Sequence, residues 1–313
     1  MVLTAVVVIP IRLGGFGHIF AVSADALARH KPAASILLLP PQYLGYSSLA
    51  LGSALALIFY PHTITGALSS ASDKVLRRNA ALLPAYNLLL GLVALLGYMA
   101  IAAAIHPQNS SGAVPLLLLR MFPAWFSGFC LAAIAIGALV PAAIMSIATA
   151  NLFTRNLYGE LVHRRLHGKA MAPHQEAANA KLVSLVIKFG ALAFVLFARA
   201  EYAIELQLLG GVWILQLFPS VVCGLFTRFF HGRALLLGWA AGMTGGTAMV
   251  ASLGFRSSVF PFHFAGRHFA IYAALPALAL NLAVAAIGSM WLHSPGEARA
   301  RSASPLEDEA LSL

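Results

Sequence analysis

The stretch from Gly137 to Tyr158 reads GALVPAAIMSIATANLFTRNLY and forms an apolar helix with one hydroxyl at its middle and a basic end. Small side chains recur around it at a spacing of three and four residues: Ala135, Ala138, Ala142, Ser146 and Thr149. This spacing places them on one face of a helix. In lipid, hydrophobicity no longer drives helix association, and small side chains let a neighbouring helix come close. The stretch therefore predicts a tightly packed membrane helix.

Pro141 lies inside this helix and has no backbone N–H, so the carbonyl of Gly137 loses its usual partner. A freed carbonyl, the Ser146 hydroxyl and a thin helix face are what a cation site needs. The alternative is a packed helix in which Ser146 bonds back to its own backbone. The residues by themselves favour this alternative.

The composition indicates a membrane protein. Hydrophobic residues make up 60% of the chain and charged residues only 10%, whereas a soluble domain carries about 25% charged residues. Apolar runs of about 20 residues, long enough to cross a bilayer, recur along the chain. We therefore expect an all-α polytopic membrane protein. Cys130 and Cys223 each lie in an apolar run, so no disulfide framework is expected.

We expect a transmembrane bundle of seven helices over residues 43–293. The predicted spans are 43–70, 79–105, 126–156, 175–198, 203–226, 234–253 and 269–293.

The other segments are expected to be shorter or polar. Residues 1–17 are predicted to be the C-terminal stub of a truncated transmembrane helix that ends at its glycines. Residues 18–42 are predicted to be an external loop, 114–125 an interfacial helix and 255–268 an aromatic loop. Residues 294–313 are poor in apolar side chains and are expected to form a disordered cytoplasmic tail.

Pro61 lies inside the span 43–70, so the helix should break near residues 56–63. Transporters built from inverted repeats use broken helices near the midplane to expose backbone groups to substrate. Tyr60 and His62 are then candidate substrate contacts, since His62 can bond a carboxylate or carry a proton. The alternative is a proline kink with His62 near the interface.

Several other residues give weaker indications of function. Lys188 lies near the centre of a predicted span and is a functional candidate, but we favour snorkelling or pairing with a carbonyl. His163 and His167 are four residues apart and lack a third ligand, so no metal site is expected. Gly238, Gly242 and Gly246 recur every fourth residue and predict a close-packing seam rather than a ligand site.

The central stretch resembles a known family. The residues Ala143, Ile144, Met145, Ser146 and Ile147 match the Ala-x-x-Ser-Ser/Thr pattern of the eighth core helix in the sodium:solute symporter family. Ile147 replaces the second hydroxyl of that pattern. The continuation ATANLFTRNLY, residues 148–158, resembles the prokaryotic monocarboxylate-permease branch. The resemblance extends to about residue 293 and is most specific here, over 207–230 and over 46–65.

The resemblance implies a LeuT-type fold. The first five full spans would be its second inverted repeat, and the last two would be helices that the family adds at the C-terminus. The segment LGGFGHIF, residues 13–20, resembles the exit of the fifth core helix. The resemblance therefore covers the C-terminal portion only. The first repeat would be missing, and the missing N-terminal half would be a partner of this chain.

The function implied by the resemblance is a cation-coupled secondary transporter for small monocarboxylates such as pyruvate, lactate, acetate or propionate. The Ala143 carbonyl and the Ser146 hydroxyl would be cation ligands, although a hard cation prefers about six oxygens. Because Ile147 removes one hydroxyl, proton coupling through His62 remains a rival to sodium coupling. Gln216 is the predicted substrate contact on the span 203–226.

Several function classes are excluded or kept open at this point. We expect no enzyme, because the spans lack paired carboxylates, a His cluster or a nucleophile elbow. No tightly bound cofactor is expected either, only sodium or a proton as the coupling ion. The alternative to a transporter is a non-transporting membrane sensor or interaction module, or an inactive fragment. We also expect that this chain cannot transport by itself.

The Lys and Arg residues lie between the spans, which favours the positive-inside rule over nucleic-acid binding. One set of alternate loops and the tail contains Lys74, Arg77, Arg78, Arg155, Arg164, Arg165, Lys169, Lys181, Arg228, Arg233, Arg299 and Arg301. The opposite set contains Arg12, Arg29, Lys31, Arg120, Arg199, Arg256 and Arg267. This bias predicts that the C-terminus lies in the cytoplasm. The resemblance to a prokaryotic branch implies that the membrane is the bacterial inner membrane.

Overall fold

The computed structural model describes residues 1–30, 34–197, 202–264 and 267–292. Within these ranges, six helical segments are long and apolar enough to cross a membrane, and two bent helix pairs would bring the number of spans to eight. The chain is therefore a multi-pass membrane protein that is mainly helical. The predicted tail, 294–313, lies outside the described residues.

The helices and strands follow one another in this order. They are α1 (Val2–Arg12), α2 (Gly15–Ala28), α3 (Tyr43–Leu57), α4 (Pro61–Leu68), α5 (Asp73–Ala102), α6 (Ala113–Met121), α7 (Ala124–Leu152), α8 (Arg164–His167), α9 (Pro173–Phe197), α10 (Tyr202–Leu215), α11 (Gly224–Phe226), α12 (Gly232–Ser252), β1 (Val259–Phe264), β2 (Arg267–Tyr272) and α13 (Ala274–Leu292). Two π-helical segments, Phe153–His163 and Pro219–Cys223, continue α7 into α8 and α10 towards α11. Each predicted span overlaps one of these helices or a succession of them.

The chain forms two compact units. The first contains Met1–Leu39 and Pro61–Ala203, and the second contains Pro40–Tyr60 and the chain from Ile204 onward. The core of the first unit is built by α1, α2, α5, α6 and the start of α7. Its buried side chains are Ala5, Ile9, Ile19, Leu96, Met99, Ala100, Ala103, Leu117, Leu118 and Cys130.

The loop predicted over residues 18–42 is wrong in its first part, because Gly15–Ala28 is a helix. Gly14 and Gly15 have φ of 82° and 92°, and the axes of α1 and α2 differ by 83°. The glycines turn the chain sharply, and a second helix starts at once. This helix packs on α5, where the Ser23 hydroxyl donates to the Tyr98 carbonyl at 3.1 Å.

The end of α5 contains a strained residue. The N–H of Ile105 donates to the Ala100 carbonyl at 3.0 Å and that of Ala104 to the Ile101 carbonyl at 2.9 Å, which is a Schellman motif. Ala104 occupies its left-handed position with φ of 51°. Glycine is usual there, because a Cβ is unfavourable in this conformation. Helix α12 ends in the same motif with Gly254 at this position.

Replacing Ala104 with glycine is therefore expected to stabilise the protein by about 0.5–1 kcal/mol. The measurement is the midpoint of unfolding in mixed detergent and SDS. Ala103→Gly is the matched control, because Ala103 has φ of −79° and is buried, so its substitution should be destabilising. An Ala104→Gly protein less stable than the parent would contradict the prediction.

The second unit packs α3, α10, α12 and α13 around Tyr272, which ends β2. Its buried core residues are Ala56, Leu209, Val212, Leu215, Val250, Tyr272, Ala273, Ala274 and Leu278. The aromatic loop predicted over 255–268 is wrong, because most of this segment belongs to an antiparallel hairpin. Val259 pairs with Tyr272 and Phe262 with Phe269. The last helix consequently begins at Ala274, later than expected.

The predicted glycine seam on α12 is confirmed as a packing surface. Gly238, Gly242 and Gly246 are all buried. A Cβ on Gly238 would lie 2.6 Å from the Asn281 carbonyl oxygen, and a Cβ on Gly246 would lie 2.7 Å from Val212 Cγ1. These glycines allow α12 to approach α13 and α10 closely.

Candidate functional site

Ser146 lies in the interface between α7 and α9. Its side chain is only 4% exposed, so the hydroxyl faces protein and not lipid. The Ser146 hydroxyl donates to the Ala143 carbonyl at 2.9 Å and accepts a hydrogen bond of 3.2 Å from the Ser184 hydroxyl. Ser184, on α9, is also buried. The two candidate cation ligands, Ala143 and Ser146, are thus adjacent, and Ser184 adds a third oxygen.

The bond from Ser146 to Ala143 is the one expected for a packed helix whose serine bonds its own backbone. The same bond places two oxygens of the candidate site next to each other. Three oxygens are about half of what a hard cation prefers. Ile147 adds no ligand and is half exposed, at 49%.

The small-residue face of α7 is only partly covered within its unit. Ala135, Ala138, Ala142 and Thr149 are exposed. The Thr149 hydroxyl donates to the Met145 carbonyl of its own helix at 2.8 Å. Of the five residues predicted to share this face, Ser146 is the one that lies buried against another helix.

The basic end of the central stretch has an unusual backbone. Helix α7 runs through Pro141 without ending and continues as a π-helix from Phe153 to His163. Thr154 is fully buried there, and its hydroxyl has no hydrogen-bond partner among the described residues. Arg155 forms an ion pair of 3.0 Å with Glu176, at the start of α9. Because the Arg155 side chain is largely exposed, this ion pair contributes little to stability.

The predicted break near Pro61 is confirmed. Helix α3 ends at Leu57 and α4 begins at Pro61, because proline cannot continue the backbone hydrogen bonding of the preceding turn. Tyr60 lies in the break, is half-buried, and its hydroxyl donates to the Gln207 carbonyl at 3.4 Å. His62 lies in the first turn of α4 and is half-buried.

Gln216 is completely buried in the second unit. Its Nε2 donates to the Val212 carbonyl at 2.9 Å and to the Ala274 carbonyl at 3.5 Å, while its Oε1 accepts from Asn281 Nδ2 at 3.3 Å. Both ends of the amide are therefore engaged by α10 and α13. These bonds give Gln216 a role in helix packing.

Asn281 is a polar residue of this region that sequence reasoning missed. It is fully buried on α13, and its Nδ2 donates to the backbone carbonyl of Gln216 at 2.9 Å. That carbonyl lies where the chain leaves α10, shortly before Pro219. Asn281 thus satisfies a backbone group that the helix interruption leaves open. A lone asparagine in the apolar run 274–292 was the available signal.

The remaining polar candidates are on the surface. Lys188 is exposed, with no ion pair to any described residue. The rings of His163 and His167 stack with centroids 4.3 Å apart. In the described part of the chain, no three His, Cys, Asp or Glu side chains are grouped so that they could hold a metal. Cys130 and Cys223 are both free thiols.

The structure thus brings Ala143 and Ser146 together with Ser184 in the first unit, which also contains His62. Tyr60 and Gln216 belong to the second unit. Sequence reasoning missed Ser184, whose signal was a hydroxyl near the middle of the predicted span 175–198.

Comparison with known proteins identifies three relatives. The chain is 48% identical over 303 residues to a monocarboxylate transport permease protein of Rhizobium johnstonii, and the match covers 96% of this chain and 60% of that protein. It is 32% identical over 191 residues to the uncharacterized symporter YodF of Bacillus subtilis, covering 61% and 37% of the two chains. It is 31% identical over 207 residues to the uncharacterized symporter YhjB of the same species, covering 66% and 40%.

The chain spans at most about 60% of the length of these relatives. No protein-family model matches it, and no solved structure does. All three relatives are named as transporters, so they support a transporter family. Their names, a permease and two symporters, confirm the prediction of a protein that is not an enzyme.

Proposed function

We propose that this chain forms part of a cation-coupled secondary transporter for small monocarboxylates, of the sodium:solute symporter type. The observation that carries the proposal is its 48% identity, over 96% of its length, to a protein named a monocarboxylate transport permease. The multi-pass architecture and the helix break at Pro61 support it.

The proposed cation ligands are the Ala143 carbonyl and the Ser146 hydroxyl, joined by Ser184. Their support is the adjacency of these three oxygens inside a buried interface. The remaining ligands would come from the first repeat of a LeuT-type fold, of which this chain would be the second repeat and two added helices. Sodium is the coupling ion that this oxygen site favours, with a proton on His62 as the rival.

The proposed substrate contacts are Tyr60 and His62, at the break between α3 and α4. An imidazole can donate to a carboxylate, and the Tyr60 hydroxyl would do so by giving up its long bond of 3.4 Å to the Gln207 carbonyl. Gln216, the third contact expected from the sequence, would act indirectly by holding α10 and α13 together, because its amide is engaged by protein. The proposed membrane is the bacterial inner membrane, with residues 294–313 in the cytoplasm.

The test is the substitution Ser146→Ala in two proteins reconstituted into vesicles. One is this chain, and the other is this chain joined to the part of the Rhizobium relative that it does not match. Uptake of labelled pyruvate is measured with a sodium gradient, with a proton gradient and with neither. Loss of an outer-shell partner already costs about 10- to 100-fold in metal affinity, so losing one oxygen ligand is expected to lower the apparent cation affinity by at least about 10-fold.

Thr149→Ala is the matched control, because Thr149 lies about one turn further along α7, is exposed, and donates to the Met145 carbonyl of its own helix. It should leave cation dependence unchanged. Absence of uptake from both parent proteins would contradict the transport proposal. Uptake that keeps its full cation dependence in Ser146→Ala would contradict the ion site alone.

A further inference from the structure

Tyr272 connects three elements of the second unit. It is fully buried at the end of β2, between α3 and α10. Its backbone N–H donates to the Ser48 hydroxyl on α3 at 3.0 Å, and its own hydroxyl donates to the Leu208 carbonyl on α10 at 2.6 Å. One residue of the hairpin therefore bonds both helices.

The ring of Tyr272 fits because both helices present glycine to it. A Cβ on Gly52 of α3 would lie 2.5 Å from Tyr272 Cδ1, and a Cβ on Gly211 of α10 would lie 2.5 Å from the Tyr272 hydroxyl. Real Cβ atoms do not approach this closely. The contact is thus specific to this pair of glycines and this aromatic ring.

The contact continues along α3. The Ser48 hydroxyl that accepts from Tyr272 also donates to the Gly45 carbonyl at 2.9 Å, and it is buried. A Cβ on Gly45 would lie 3.5 Å from the Ala270 carbonyl oxygen. Strand β2 therefore covers α3 from Gly45 to Gly52, a length of two helical turns.

Tyr60 lies three residues beyond the end of α3 and bonds the same part of α10. Its hydroxyl donates to the Gln207 carbonyl, and the Tyr272 hydroxyl donates to the next one, of Leu208. Tyr60 and Tyr272 thus bond neighbouring carbonyls of α10. Any movement of α3 along α10 would displace Tyr60.

We propose that Tyr272 is a positioning residue for Tyr60. The hairpin formed by β1 and β2 acts as a clamp that holds the broken helix α3 against α10 and so fixes the Tyr60 hydroxyl. The proposal rests on the proposed function in one respect, namely that Tyr60 contacts the substrate. The clamp itself is a property of the second unit.

The test uses Tyr272→Phe and Ser48→Ala in the whole chain, in lipid nanodiscs. Tyr272→Phe keeps the ring and removes one hydrogen bond, so the protein should still fold. Hydrogen exchange of peptides from α3 and nitration of Tyr60 by tetranitromethane are followed by mass spectrometry. Loss of a bond of ordinary strength should speed both reactions about fivefold in each variant, with no change in α12 peptides.

Ser47→Ala is the matched control, because Ser47 is the exposed neighbour of Ser48 and bonds the Tyr43 carbonyl of its own helix at 2.7 Å. It should change neither reaction. Unchanged exchange of α3 together with unchanged nitration of Tyr60 in both variants would overturn the clamp. Hydrogen exchange and nitration do not require transport, so they test the clamp even where pyruvate uptake is absent. Failure of the clamp can therefore be distinguished from failure of the transport proposal.

Where uptake is present, the route through Tyr60 is tested by combining substitutions. Tyr272→Phe should raise the KM for pyruvate severalfold. If Tyr272 acts through Tyr60, the double variant with Tyr60→Phe should have the KM of Tyr60→Phe alone, because interacting sites are not additive. Additive effects on KM would overturn the positioning role.

Discussion

Replacing Gly242 with valine is expected to prevent α12 from packing in the second unit. Gly242 is buried, and a Cβ there would overlap Gln216 Oε1 and lie 2.9 Å from the Asn281 Cβ. Both neighbours are fully buried and hydrogen-bonded, so they cannot move aside without losing those bonds. We expect a loss of about 3 kcal/mol or more, at or above the usual upper range for overpacking a core.

The measurement is the yield of monodisperse protein and the SDS midpoint of what can be purified. Gly91→Val is the matched control, because Gly91 lies within α5 and no described atom beyond the nearby backbone of that helix lies within 4 Å of the Cβ position. Both variants gain the same few tenths of a kcal/mol in helix propensity, because valine is a better helix former than glycine. Equal stability of the two variants would contradict the close packing of α12 at its glycine seam.

Replacing Asn281 with leucine should have the second large effect. Leucine has the same branching and number of heavy atoms as asparagine but cannot donate to the Gln216 carbonyl or to Gln216 Oε1. Two buried acceptors then lose their partner, each at a cost of about 1–3 kcal/mol. We expect a lower SDS midpoint of unfolding. We also expect faster exchange of the backbone amide hydrogens near Pro219, where the helix is interrupted.

Asn87→Leu is the control, because Asn87 is an exposed asparagine of α5. It should be neutral in the same measurement. A double-mutant cycle of Asn281→Leu with Gln216→Leu should show coupling, since the two amides bond each other. Independent, additive effects of these two substitutions would contradict the assigned contact.

Several features of this protein follow from residue types at short range. Apolar runs of about 20 residues predict the spans, because a bilayer core imposes that length on any helix that crosses it. Pro61 predicts the break between α3 and α4, because the missing N–H is a property of one residue. Gly238, Gly242 and Gly246 predict the seam, because a four-residue spacing puts them on one face.

The segments that were predicted wrongly have local sequence patterns that are compatible with more than one structure. The segment 255–268 is rich in aromatic residues, which suit a loop as well as a short strand, and its pairing from Val259 to Tyr272 depends on the whole hairpin. Gly14 and Gly15 suggest the end of a helix, and only the packing of the next residues on α5 makes them a turn between two helices.

By itself, the sequence determined that this chain crosses a membrane several times, where one helix breaks and which helix face is thin. Only the tertiary structure decided that Ser146 meets Ser184, that Gln216 and Asn281 lock α10 to α13, and that Tyr272 holds α3. The reason is the range of the interactions. Backbone geometry depends on neighbouring residues, whereas the partner of a buried hydroxyl or amide is set by contacts between helices that are far apart in the chain.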